Sequence, residues 1–137
     1  AGAGGRAGAG GGSRQGRRAR LERTFAALHE RGEALFARLW ERLESVEGVT
    51  LYGPPPGAAR TPTLVFDVAG IEPGDVAANL SARGVFVSHG DFYAPDVLER
   101  FGRADRGLVR AGCACYTSEA EVDRLMGGVA EIAAGGR

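Results

Sequence analysis

The run Leu108-Val109-Arg110-Ala111-Gly112 leads through Cys113-Ala114-Cys115-Tyr116 into Thr117-Ser118-Glu119-Ala120-Glu121-Val122-Asp123. Across it the sequence changes its structural period. Leu108 to Tyr116 has the short apolar character of a strand. Beyond it Val122, Leu125, Met126, Val129 and Ile132 recur at three- and four-residue steps, the pattern of a helix with one buried face. Thr117 or Ser118 offers a hydroxyl as N-cap, and Glu121 follows in the first turn. A strand feeding a capped amphipathic helix requires a sheet with that helix laid against it.

Working upstream, Val85-Phe86-Val87 predicts another strand, followed by a loop from Ser88 to Pro95 and a short helix from Asp96 to Phe101. Pro73 suits a first helical turn, and Pro73 to Arg83 carries Val76, Ala77 and Leu80 before Gly84 ends it. Thr63 to Val68 alternates as a strand with Leu64, Phe66 and Val68 on one face, which leaves Asp67 expected to face solvent. Val49 to Tyr52 is a shorter strand, and Pro54-Pro55-Pro56-Gly57 a stiff loop.

Leu21, Phe25, Leu28, Leu35, Leu39, Leu43 and Val46 define a helix from Leu21 to Glu47, stopped by Gly48. It is longer than the small domain it serves. Its stripe is therefore expected to continue onto a second domain or a partner. The order of elements predicts an α+β fold. We expect a small antiparallel or mixed sheet of three to four strands with helices packed on one face, preceded by the long N-terminal helix.

Residues 1–20 are almost wholly Ala, Gly and Arg, with no acid and no large apolar side chain, and are expected to be a disordered tail. Gly2 to Ala7 matches a dinucleotide-binding glycine pattern, but no strand precedes it and the match is chance. Arg14, Arg17, Arg18 and Arg20 could touch RNA, although a solvated tail is the plainer reading. Residues 21–137 then form one domain, and a start at Ala1 suggests a processed product or a fragment.

The 17 basic and 17 acidic side chains cancel, so nothing overall steers the chain toward nucleic acid or an anionic membrane. No apolar run is long enough to span a bilayer, and no apolar leader opens the sequence. Cys113 and Cys115 stand at i and i+2, where backbones are usually too far apart for a disulfide. A reducing, cytoplasmic setting is expected. His29 and His89 lie at no zinc-binding spacing, so no metal site is expected. All 17 basic residues are arginine. Schiff-base chemistry needs a lysine amine, and the sequence contains none.

Arg110 is the residue that points to chemistry. A guanidinium in the middle of an apolar strand loses solvation unless an anion meets it, and its planar fork suits a carboxylate. The anion could be an acid of the same domain or a ligand. From the residues alone the internal ion pair is favoured.

Arg110 with the later Tyr116-Thr117-Ser118-Glu119-Ala120-Glu121-Val122-Asp123 run resembles the end of class V aminotransferases and cysteine desulfurases. There an arginine strand precedes a "YNT-x-EEVD"-like helix start. Arg60-Thr61-Pro62-Thr63-Leu64-Val65-Phe66 is similar to that family's "R-x-P-T-x-S-F" strand. The Gly84 to Val87 strand and the Gly90-Asp91-Phe92-Tyr93-Ala94 loop resemble the cysteine desulfurase-like subgroup, and the likeness runs from about Leu21 to Ala133.

The resemblance implies the C-terminal small domain of a pyridoxal 5'-phosphate (PLP) enzyme, with Arg110 receiving the α-carboxylate of an amino-acid substrate. It places Ser88, His89, Asp91, Phe92 and Tyr93 on a loop at the cleft between two domains. It also implies a homodimeric parent whose Schiff-base lysine belongs to a large domain absent from this sequence, so the chain alone is expected to be inactive. Tyr93 stands where desulfurases carry their persulfide-forming cysteine, and a phenol cannot form a persulfide. The alternative is a stand-alone binding or oligomerisation module that has kept the small-domain fold.

Overall fold

The computed structural model describes residues 11–135. Its elements are α1 (Gly11–Glu44), β1 (Val49–Tyr52), β2 (Thr63–Val68), α2 (Pro73–Ser81), β3 (Ser88–Gly90), α3 (Pro95–Arg100), β4 (Leu108–Gly112) and α4 (Glu119–Gly135). The four strands form one sheet in the order β1-β2-β4-β3, antiparallel at every pair. The α+β architecture with a leading long helix is the one expected.

Pairing register decides which side chains share a face. Leu64 opposes Ala111 and Phe66 opposes Val109, and all four are buried in the core beneath the helices. Because side chains alternate, Val65 and Arg110 pair on the other face. From α1 the core takes Leu35, Phe36, Leu39 and Leu43, from α2 Val76 and Leu80, and from α4 Val122, Leu125, Met126, Val129 and Ile132. Phe36, Phe66, Leu39, Leu43 and Leu64 are fully buried. Burial of this order contributes roughly 1.5–3 kcal/mol per large apolar side chain.

Several boundaries differ from expectation; α2 ends at Ser81 rather than Arg83, α3 is Pro95–Arg100 rather than Asp96–Phe101, and four differences matter more. The helix starts at Gly11, so residues 11–20, read as disordered, are helical. Arginine and alanine are good helix formers, and Arg18 pairs with Glu22 one turn on (2.8 Å). The remaining tail and its glycine pattern lie outside the described residues. The same helix ends at Glu44, not Glu47. The third strand is Ser88–Gly90 rather than Val85–Val87. Val85 and Val87 pack against the core without joining the ladder, so their apolar character reflects packing and not pairing. The last strand stops at Gly112 rather than Tyr116.

Asp67 is a further correction, since it is buried rather than solvent-facing. On the outer face its carboxylate meets Arg103 at 2.9 Å, and that partner sits in the connection from α3 to β4. Phe101, just after α3, packs on Tyr52 with ring centroids 4.9 Å apart. The connection thus covers one end of the outer face.

α4 is anchored at its start. Ser118 and Glu121 form a capping box: the Ser118 amide and hydroxyl donate to Glu121 Oε2 (2.8 Å each), and the Glu121 amide donates to Ser118 Oγ (3.3 Å). Ser118, not Thr117, is therefore the cap. Arg38 of α1 grips Asp123 through two nitrogens at 2.7–3.0 Å, fixing α4 against α1. Arg31 of α1 adds a bond to the Thr117 carbonyl (2.9 Å).

The bonds from the Ser118 backbone and hydroxyl hold the Glu121 carboxyl below the usual carboxylate range. A depressed acid contributes stability that is present above its unfolded value, near 4.3, and lost as pH falls through the folded value. Ser118→Ala is expected to lower the urea midpoint at pH 7 and to flatten the decline in stability below about pH 4. Urea titrations at a series of pH values check both effects.

Candidate functional site

Arg110 projects from the middle of β4 onto the outer sheet face, where it is exposed. Val109 and Ala111, its neighbours in the chain, are turned into the core. Among the described residues no acid pairs with it, which disfavours the internal ion pair as its reason for being there. Its guanidinium lies over the ring of Phe92, with Cζ 4.6 Å from the centroid. Stacking on an aromatic face satisfies the flat side of a guanidinium and leaves the edge donors open.

The loop that brings Phe92 there is built against local preference. Phe92 (φ 54°) and Tyr93 (φ 59°) are both left-handed, in succession and without glycine. Each such residue costs on the order of 1–2 kcal/mol, and strain of this kind persists only where surrounding contacts hold it. Asp91 supplies two of those contacts. Its side chain accepts from the Tyr93 amide (3.0 Å), and its carbonyl accepts from the Ala94 amide (3.0 Å).

The expected loop residues separate by face. Ser88 is the cross-strand partner of Arg110 and shares its side of the sheet. His89 pairs with Val109 and so projects from the helix side. There its ring lies against the start of α2, where a methyl group added at Gly74 would sit 3.5 Å from Cε1. Asp91 shapes the turn, Phe92 is half-buried beneath the arginine, and Tyr93 is 100% exposed. The structure therefore gathers Arg110, Ser88 and Phe92 and leaves His89 out.

The other conspicuous arginine has a different role. Arg60 stacks over Phe36 (3.9 Å to the centroid) and donates to the carbonyls of Pro54, Thr61 and Thr63. Burial lowers its pKa from the usual arginine value, with Glu33 opposing the shift. It staples the proline loop to α1 on the core side of the sheet. Cys113 and Cys115 are free thiols. Cys113 packs against the core and its pKa is raised by burial, the reverse of what a reactive thiol needs. Among the described residues no group of three His, Cys, Asp or Glu side chains could hold a metal, and no helix is long and apolar enough to cross a membrane.

The Aminotransferase class-V family model matches residues 19–125, well over half of the chain. The chain belongs to this family. Among curated relatives, a probable cysteine desulfurase from Staphylococcus epidermidis is 29% identical over 102 residues, covering 74% of this chain and 24% of that protein. One from Staphylococcus aureus is 29% identical over 107 residues, covering 77% and 25%. Of solved structures, a cysteine desulfurase from Thermococcus onnurineus superposes with a TM-score of 0.70 at 33% identity over 76% of this chain and 25% of that one. An Escherichia coli cysteine desulfurase shares the fold, with a TM-score of 0.66 at 24% identity over 76% and 24%. The chain spans about a quarter of the length of these relatives.

Sequence reasoning placed Arg110 on its strand but missed Phe92 as its partner. No local periodicity in the sequence signals that contact. Arg110 and Phe92 meet only when the third strand is Ser88–Gly90, so that the loop begins at Asp91. Gly107 makes that strand position possible. At φ +71° it opens β4, and a Cβ there would stand 2.6 Å from the Gly90 carbonyl oxygen. Gly107→Ala is expected to cost more than 1 kcal/mol, read by urea denaturation, and to shift the backbone amide resonances of residues 88–94 through displacement of β3.

Proposed function

We propose that this chain is the C-terminal small domain of a PLP-dependent, cysteine desulfurase-like enzyme of the class-V aminotransferase family. Its part is to supply the arginine that receives the α-carboxylate of the amino-acid substrate. The observation that carries this reading is Arg110 itself: exposed on the outer sheet face, free of any acid among the described residues, and stacked on Phe92. A carboxylate arriving edge-on can accept two parallel N–H bonds from the guanidinium, which fixes the substrate's orientation as well as its charge. The Ser88 side of the strand pair, the Asp91–Ala94 turn and exposed Tyr93 form the wall beside it.

The residues present do not fit covalent PLP, because the chain has no lysine amine to form a Schiff base. No step through the cofactor is assigned to them. In the complete enzyme the lysine comes from polypeptide outside these 137 residues, in a large domain that meets the outer sheet face. The chemistry resides there. This domain recognises the substrate, orients it and helps to exclude water, in a homodimeric enzyme of the cytoplasm.

A specific feature favours a second reading, that of a stand-alone oligomerisation module. On α1, Leu21, Phe25 and Leu28 stand exposed in a row, with Phe25 68% exposed. A helix of 34 residues spans about 51 Å, and only the part from Leu35 onward is packed into the core.

A fusion of this chain to the lysine-bearing large domain of a class-V relative distinguishes the two. In that hybrid, Arg110→Ala is expected to reduce kcat/KM for the amino-acid substrate about ten- to hundred-fold, the loss of charge-assisted hydrogen bonds. Arg110→Lys should recover only part, since an ammonium cannot bind a carboxylate with a planar fork. The isolated chain with PLP should show no Schiff-base absorbance traceable to a side chain. An unchanged kcat/KM in Arg110→Ala would remove the carboxylate role and leave the module reading.

A further inference from the structure

We infer that Phe92 is a positioning residue for Arg110, and that the left-handed turn around it exists to place its ring under the guanidinium. The inference rests on the proposed carboxylate role of Arg110 and extends it to a residue that touches no substrate.

Three observations converge. Phe92 and Tyr93 hold consecutive positive φ angles of 54° and 59°, a conformation in which aromatic side chains are outliers. A turn needing only to reverse the chain would be satisfied by Gly or Asn at these positions. Next, the ring is placed beneath a cation: Arg110 Cζ is 4.6 Å from its centroid. Finally, the turn is fixed from within by the Asp91 side chain and carbonyl, which bond the Tyr93 and Ala94 amides. The bonding holds the turn, and the strain falls on Phe92, whose ring meets Arg110, and on Tyr93 beside it.

The consequence for recognition is directional. Arginine carries several rotatable bonds, and an exposed guanidinium without an acid samples many orientations. The Phe92 ring holds its plane and blocks one face to water. The edge donors then face the open side of the sheet, already oriented when a carboxylate arrives. Preorganisation of this kind improves affinity by reducing what is lost on binding.

A purely structural Phe92 and a positioning Phe92 predict opposite results for one substitution. Phe92→Gly relieves the positive φ, so the folded chain should keep or gain stability. It also removes the ring, so Arg110 should lose its orientation. The experiment follows the Arg110 Nε–Hε resonance of the whole 137-residue chain while N-acetyl-L-alanine is added as the carboxylate probe. In the unmodified chain the free resonance should show the upfield shift of a group over a ring, and the probe should move it saturably. In Phe92→Gly the upfield shift should vanish and the apparent Kd should rise about two- to five-fold, the usual range for an exposed cation–π contact. Phe92→Tyr, which keeps the ring, should retain both. Equal Kd values for Phe92→Gly and the unmodified chain would overturn the positioning role alone. A probe that never moves Arg110 in the unmodified chain would overturn the carboxylate reading and this inference with it.

Discussion

The two-residue alternation of β4 is the constraint on which the rest of the structure depends. Val109 and Ala111 are sealed in the core, so Arg110 between them must emerge on the opposite face. A slip of one residue against β2 would turn the guanidinium into the core and expose the core positions. Burying an unpaired cation is far more costly than losing one packed methyl group. The hydrophobic register of the sheet and the position of its exposed arginine are therefore one decision. The helices enforce it from below, because Leu64 and Phe66 of the neighbouring strand must face them at the same time.

Three arginines show how surroundings, not residue type, assign a role. Arg60 is clamped between a ring and three carbonyls and behaves as a structural staple. Arg103 meets buried Asp67 and ties the α3–β4 connection to the outer face. Arg110 has an aromatic ring behind it and open space before it. A chain whose basic residues are all arginine offers the same fork at each of these sites. Only at Arg110 do the surroundings leave the edge donors of a core-flanked strand residue unspent. Asp67 is consumed by Arg103, so the nearest strand acid on that face cannot compete for it.

Much of this was legible in the residues themselves. The core stripes of α2, α4 and the packed half of α1 follow from apolar spacing, and a capped start of α4 follows from Thr117 or Ser118 with Glu121, the structure choosing Ser118. The failures have physical causes. Val85 and Val87 read as a strand because packing against a core selects the same residues as pairing does. Asp67 read as exposed because its partner lies 36 positions away in sequence, in a loop with no periodicity of its own. Phe92 reads as a cleft-loop residue but not as the partner of Arg110, since positive φ at a bulky residue has no sequence signature. The meeting of ring and guanidinium arises only from the pairing of Ser88 with Arg110. Local pattern reveals which residues are buried. It does not reveal which exposed residues are brought together.

Two exposed places on the domain are the outer sheet face around Arg110 and the Leu21, Phe25 and Leu28 row on α1. The core is closed without either, so neither is needed to hold the fold. Exposed apolar rows of this kind commonly mark interaction sites. The strained turn beneath Arg110 supports the same conclusion by a separate route. Phe92 and Tyr93 keep a conformation that costs the isolated domain stability and that its core does not require. A fold under selection for stability alone would relax that turn with a glycine. Its persistence is accounted for if the arginine above it must be aimed at something this chain does not itself contain.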